Sequence, residues 1–282
     1  VLLAAKDDGP YVVAPREDKM PRADVCIEAV FTDLPLVERA KRVADAGFDA
    51  VEFWFYDMGG DRGIAEFGKW CAANGILINN AVVNSPDASV GGSLLDPADR
   101  SKYIARLKET IKVCKDIDCR QAITCTGNAL PGVSYSAQKR CMIDTLKTAA
   151  EVCEAEGFQL FVEALNTTVD HHGYFLSSAE EGGDICRQVG SSRVKLLFDI
   201  YHMQIMAGNV IARIEELMDV IGHFHSAGVP GRHDLDIGEL NYPNIIKAID
   251  GFGYKGLFGL EYWPAGDEFE SLKRMRALTR PS

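Results

Sequence analysis

One pattern recurs eight times along the 282-residue chain: a short apolar run, then a longer amphipathic stretch closed by a turn residue. The apolar runs cover residues 25–31, 50–55, 76–83, 121–125, 158–164, 194–198, 221–226 and 256–262. Most are continuous rather than alternating, as parallel strands buried on both faces read. The stretches after them, near 34–46, 63–74, 96–115, 134–156, 177–190, 206–219, 242–252 and 267–279, carry helical periodicity. Gly47, Gly75 and Gly157 stand where helices stop, and Asp96-Pro97 where one starts. Eight strand–helix units predict an α/β fold, a single (β/α)8 TIM barrel over residues 23–282. A doubly wound sheet is the rival, but no GxGxxG follows the first run and no composition break divides the chain. Residues 1–22 are polar, hold three of the 11 prolines and show no period, so they read as an N-terminal arm or tail.

Composition narrows the function classes. Thirty basic residues against 41 acidic ones give a net charge of −11, which disfavours a nucleic-acid partner. No apolar run approaches the ~20 residues of a membrane helix. Eight cysteines without a CxxC read as buried free thiols in a reducing compartment, which favours the cytoplasm. The chain begins Val1-Leu2-Leu3-Ala4-Ala5, so an exported form with a removed leader is the alternative.

In a TIM barrel the site lies at the C-terminal ends of the strands. The fifth run ends Phe161-Val162-Glu163 and the sixth Leu197-Phe198-Asp199. The seventh holds His223-Phe224-His225, and the eighth Gly259-Leu260-Glu261. Four successive strands of a closed barrel would aim Glu163, Asp199, His225 and Glu261 at one point. Three carboxylates crowded there would raise one another's pKa, and a divalent cation removes that cost. Oxygen ligands with one imidazole suit Mg²⁺ or Mn²⁺ better than a thiolate zinc site. For any single one of these acids, a buried pair with Lys or Arg is the competing explanation.

Other candidates bind substrate. His202 lies three residues after Asp199, in a predicted loop, placed to hydrogen-bond a substrate oxygen; a loop histidine capping backbone is the alternative. Arg232 is a candidate clamp for an anionic group, because guanidinium matches a carboxylate bidentately; a plain surface arginine is the alternative. Glu52 is either a substrate hydrogen-bonder or half of a buried salt bridge. Trp54 and Phe55 form an apolar wall. Asn84, Asn166 and the loop pair His171 and His172 complete the set, and the two histidines could form part of a lid. His223 is expected to point away from His225 and to play a supporting structural part.

The stretches Val162-Glu163-Ala164-Leu165-Asn166, Gly173-Tyr174-Phe175-Leu176 and Asp199-Ile200-Tyr201-His202-Met203-Gln204 resemble hydroxypyruvate isomerases. So do Ala227-Gly228-Val229-Pro230-Gly231-Arg232-His233, Gly238-Glu239-Leu240-Asn241-Tyr242-Pro243 and Gly259-Leu260-Glu261-Tyr262. These enzymes belong to the xylose-isomerase-like TIM barrels, within the sugar isomerase/epimerase superfamily. The resemblance implies a divalent metal on Glu163, Asp199, His225 and Glu261, with no nucleotide cofactor. Glu163 and Glu261 then move protons through an enediolate. It also implies a small keto acid or sugar as substrate, and a homo-oligomer. Bacterial hydroxypyruvate isomerases tend to carry Gln where this chain has His225, whereas the related keto-sugar 3-epimerases carry His. On the shared motifs, conversion of hydroxypyruvate to tartronate semialdehyde is the leading expectation; ketose 3-epimerisation, which His225 favours, is the second. A non-catalytic sugar- or metal-binding barrel is a third. A phosphodiester hydrolase like the endonuclease IV branch needs more than six histidines and a basic groove.

Overall fold

The structure, a computed structural model, describes residues 22–280. The expected arm over residues 1–22 therefore lies, apart from Arg22, outside the described residues. The strands are β1 (Ala23–Cys26), β2 (Ala50–Glu52), β3 (Leu77–Ile78), β4 (Ala81–Val82), β5 (Gln121–Thr124), β6 (Gln159–Glu163), β7 (Val194–Asp199), β8 (Ile221–Ser226) and β9 (Phe258–Leu260). The helices are α1 (Leu36–Asp45), α2 (Ile64–Asn74), α3 (Arg100–Asp116), α4 (Tyr135–Glu156), α5 (Ala179–Val189), α6 (Ile200–Met206), α7 (Val210–Leu217), α8 (Tyr242–Gly251) and α9 (Glu268–Thr279). Every pairing between these strands is parallel, in the order β3-β2-β1-β9-β8-β7-β6-β5-β4.

The two ends of that order are one strand position. The apolar run at 76–83 divides into β3 and β4 because Asn79 and Asn80 interrupt it. Their amides turn to buried carboxylates: Asn79 Nδ2 donates to Asp24 Oδ2 at 2.7 Å and Asn80 Nδ2 to Glu52 Oε2 at 3.2 Å. The backbone nevertheless continues the ladder, through Phe53 N–H to Asn80 C=O at 3.1 Å and Val82 N–H to Trp54 C=O at 3.2 Å. The expected eight-stranded barrel thus closes through residues 77–82.

A second difference lies after β7. The helix expected over 206–219 is the shorter α7, and an unexpected helix, α6, precedes it, the two separated where Gly208 and Asn209 take positive φ. α6 starts at the strand end because Asp199 caps it, Oδ1 accepting from His202 N–H at 3.1 Å. His202 therefore sits in a helical first turn rather than a loop.

Helical faces cover the barrel: α1, for instance, buries Leu36, Ala40 and Val43 at helical spacing. Each such Leu or Val contributes about 1.5–3 kcal/mol. The outer core between strands and helices is continuous, while a separate plug of Val82, Ile123, Phe161 and Leu197 fills part of the barrel interior. Trp54 and Phe55 pack on that plug. All eight cysteines are buried and free. No described helix is long and apolar enough to cross a membrane.

Candidate metal centre

Side chains alternate along a strand, so residues two apart share a face. Phe161 and Leu197 belong to the interior plug, which places Glu163 and Asp199 on the same inward face, nearer the C-terminal mouth. Asp199 pairs across to His225, and His225 to Gly259. The result is one cluster: ligand atoms of Glu163, Asp199, His225 and Glu261 all lie within 4.8 Å of one another, and all four residues are buried.

The cluster has the donor set a hard cation takes. His225 Nδ1 lies 3.3 Å from Glu261 Oε2 and 3.6 Å from Glu163 Oε1. Glu163 Oε1 and His225 Nδ1 are buried without a hydrogen-bond partner among the described residues. Unpartnered buried atoms of this kind are costly unless something binds them, so the residues present fit a divalent ion. Burial, reinforced by Glu163 and Glu261, pushes the Asp199 carboxyl up to about 7, with Arg232 and His225 pulling the other way. Burial also disfavours charge on Glu261, but Arg232 and His225 outweigh it and hold that carboxyl well below the usual range.

His223 corrects the expectation that it points away from His225. Two residues apart on β8, the two rings share a face and meet edge to face with centroids 5.1 Å apart. Both reach Glu52: His223 Nε2 is 3.2 Å from Oε2 and His225 Nε2 is 2.9 Å from Oε1. Glu52 is thus the buried-pair alternative of the sequence reading. Despite burial, the two histidines hold its carboxyl well below the usual range. It supports His225 from behind, the arrangement in which a carboxylate orients a metal-binding imidazole.

The remaining candidates divide. Trp54 joins the site, its indole Nε1 donating to Glu261 Oε1 at 3.0 Å. Arg232 joins it too: Nη2 bonds Glu261 Oε2 and lies 3.8 Å from Asp199 Oδ2, with the guanidinium over the rings of Tyr201 (5.2 Å) and Trp263 (5.0 Å). His202 is fully buried, with Nε2 3.5 Å from Asp199 Oδ2; burial, then Arg232 and His171, keep its pKa well below the ordinary value. His172 is exposed and its Nδ1 lies 2.8 Å from Thr167 C=O, while its neighbour His171 approaches His202, ring centroids 5.3 Å apart. Asn84 is committed elsewhere. Its amide donates to Gly92 and Cys125 carbonyls and its oxygen accepts from Thr124 Oγ1 and Cys125 N–H, which uses its full capacity.

Sequence reasoning passes over three neighbours of the site. Trp263 flanks Arg232, Tyr201 lies beneath it, and Cys26 Sγ approaches Glu261 Oε1 at 3.9 Å. Trp263 and Tyr201 each closely follow a strand-end candidate, so a scan extended two residues beyond each strand end finds them.

The chain matches the family model described as xylose isomerase-like TIM barrel over residues 40–278. It is 32% identical over 249 residues to a protein of Cupriavidus necator named "2-oxo-tetronate isomerase", covering 87% of this chain and 94% of that one. A human protein named "Putative hydroxypyruvate isomerase" is 29% identical over 247 residues, covering 86% of this chain and 89% of that one. Among solved structures, an "AP endonuclease, family 2" from Brucella melitensis superposes with a TM-score of 0.83 at 28% identity, over 91% of this chain and 98% of the other. A D-psicose 3-epimerase from Clostridium cellulolyticum H10 shares the fold, with a TM-score of 0.72 at 20% identity and 89% of each chain covered.

Proposed function

The chain belongs to the xylose isomerase-like TIM barrel family and is an isomerase, and from that premise we propose that it is a divalent-metal-dependent isomerase of short 2-oxo acids bearing a 3-hydroxyl, with hydroxypyruvate to tartronate semialdehyde as its reaction. Relatives are named for hydroxypyruvate and for 2-oxo-tetronate; in a 2-oxo acid with a 3-hydroxyl, isomerisation through an enediolate moves the carbonyl from C2 to C3 and the hydroxyl from C3 to C2. The observation that carries the reading is the buried cluster of Glu163, Asp199, His225 and Glu261, with Glu163 Oε1 and His225 Nδ1 unpartnered among the described residues.

Those four residues would hold Mg²⁺ or Mn²⁺. A divalent ion there supplies a Lewis acid that polarises the carbonyl and offsets the negative charge of an enediolate. The protein's own groups do the rest. One of Glu163 and Glu261 removes the proton from C3 and the other returns a proton at C2, while the hydroxyl proton shifts between the two oxygens. Arg232 takes the substrate carboxylate, because its guanidinium is the positive group that lies against the cluster from the mouth. His202 faces a substrate oxygen. Trp54, Tyr201 and Trp263 wall the site and limit water around the reacting carbons.

The test is solvent exchange in D₂O followed by NMR, using EDTA-stripped protein reloaded with Mg²⁺. Hydroxypyruvate, tartronate semialdehyde, fructose and psicose form the panel. Deuterium entering the acid pair only when metal is present, and lost in Glu163→Gln and Glu261→Gln, is the expected result. Deuterium at C3 of a ketose instead makes the chain an epimerase. Metal binding without exchange in any of them overturns both and leaves a binding barrel.

A further inference from the structure

His202 faces the cluster through one ring nitrogen only, and its other nitrogen is held by a single residue. The backbone N–H of Asn166 lies 3.2 Å from His202 Nδ1, and the Asn166 side-chain nitrogen lies 2.7 Å from it. The orientation of that side-chain amide is settled by its surroundings. Asn166 Oδ1 accepts from the backbone N–H groups of Val169 and Asp170, each at 3.0 Å, and Nδ2 also donates to Asp170 Oδ2 at 2.6 Å. Asp170 Oδ2 is fixed in turn by the Tyr201 hydroxyl at 2.8 Å. A flipped amide would set its oxygen against Asp170 and its nitrogen against two N–H donors. The amide nitrogen therefore faces the ring, and two N–H donors converge on Nδ1.

We propose that Asn166 is a positioning residue that fixes His202 as the neutral Nε2–H tautomer, so that the ring presents a single N–H donor to the cluster. A nitrogen that accepts from an N–H must carry a lone pair, so the ring proton of a neutral imidazole sits on the other nitrogen. His202 Nε2 is buried and has no hydrogen-bond partner among the described residues, and it lies 3.5 Å from Asp199 Oδ2. The backbone of the same residue is pinned from the opposite side, because His202 N–H caps into Asp199 Oδ1. His171 and Tyr201 face the ring with centroids 5.3 and 5.1 Å from it, and neither donates to Nδ1. The role that follows rests on the proposed function. His202 is a hydrogen-bond donor to a substrate oxygen that gains negative charge, and it does not act as the base that removes the carbon-bound proton. That leaves proton transfer at carbon to Glu163 and Glu261.

The experiment needs no substrate. Uniformly ¹⁵N-labelled protein loaded with Mg²⁺ is examined by long-range ¹H–¹⁵N correlation of the histidine rings, with His202 assigned by the signal missing in His202→Gln. A protonated Nε2 with an unprotonated Nδ1 at pH 7 is the expected pattern. A ring protonated at Nδ1, or at both nitrogens, overturns the proposal. Asn166→Asp keeps an oxygen for the Val169 and Asp170 N–H groups but replaces the amide donor with an acceptor. It is expected to move the ring proton onto Nδ1 or to add a second one, and to lower kcat by roughly 100- to 1,000-fold without changing Mg²⁺ affinity. An unchanged tautomer in a folded Asn166→Asp protein refutes the role of the side chain. Should that variant not fold, Asn166→Ala is read for the same loss of the Nε2–H pattern. An Nε2–H ring in a protein inactive on 2-oxo acids supports the positioning role and overturns only the substrate.

Discussion

Asp24 lies below the site, where it meets an amide rather than a cation. It is fully buried on β1, one oxygen accepts from Asn79 Nδ2 at 2.7 Å, and the other has no hydrogen-bond partner among the described residues. Burial, then the negative charge of Glu52, pushes its carboxyl up to about 7, with His223, Asn79 and His225 pulling less strongly the other way. An unfolded Asp titrates near 3.9. Between those two values the folded protein holds a proton that the unfolded chain releases, so stability falls as pH rises. At 1.36 kcal/mol per pH step the loss has a ceiling of about 4 kcal/mol above pH 7, of which about 2 kcal/mol accrues between pH 5.5 and 7. An asparagine in this place would accept the same bond from Asn79 and carry no charge. Asp24→Asn should therefore be more stable than wild type at pH 8, by an amount that shrinks by about 2 kcal/mol at pH 5.5. In a chain of this size that is a change of ~4–8 °C in the Tm difference. Thermal unfolding of both proteins at the two pH values, with metal removed, measures it. A difference independent of pH, or a variant less stable at pH 8, refutes the assignment of an unfavourable buried charge to Asp24.

Three further outcomes follow from named contacts. Mg²⁺ or Mn²⁺ at a hundred times its Kd should stabilise the fold by about 2.7 kcal/mol, read as a Tm increase of ~5–10 °C that disappears in Glu163→Gln and His225→Ala; an equal increase in those variants places the ion elsewhere. Gly259→Ala would set a Cβ 2.7 Å from His225 Cδ2 and 3.0 Å from His223 Nε2, so it should cost about 1–3 kcal/mol and weaken metal binding measured by calorimetry, whereas unchanged affinity shows that the rings have room to move. Asn84→Ala strips four hydrogen bonds from a buried brace and should cost about 2–4 kcal/mol in denaturant unfolding while leaving KM unaltered; a raised KM at unchanged stability would return Asn84 to the substrate.

The barrel is legible in the sequence because each strand is a dense apolar run and each helix a periodic one, two signals that survive without any knowledge of tertiary contact. The four clustered positions, Glu163, Asp199, His225 and Glu261, are legible for a related reason: an acid or histidine ending a buried strand has no packing role. What stays hidden depends on groups far apart in sequence. Nothing local marks Asn79 and Asn80 as strand breakers, because their partners Asp24 and Glu52 lie on other strands. Asn84 and Asn166 look alike as strand-end amides. One is used up by the Gly92 and Cys125 backbone and the other holds His202. The helix at Ile200–Met206 is hard to see because Asp199 reads as a ligand, although one of its oxygens also caps that helix. The expectation for His223 fails on period, since a step of two along a strand preserves the face.

That shared face explains why the interior is divided. Val82, Ile123, Phe161 and Leu197 fill the part of the barrel toward β4–β7, whereas Asp24, Glu52, His223 and His225 occupy the part toward β1, β2 and β8. The plug gives the site a rigid floor, with Phe161 stacked on His223 at a centroid distance of 5.7 Å. The polar column holds His225 by its Nε2 side and leaves Nδ1 turned toward Glu163 and Glu261. An apolar interior throughout would be more stable, because Asp24 carries a buried oxygen without a partner among the described residues. The stability given up there is the cost of orienting one imidazole from beneath, and Gly259 lacks a side chain for the same reason, since any Cβ would enter the space of both rings.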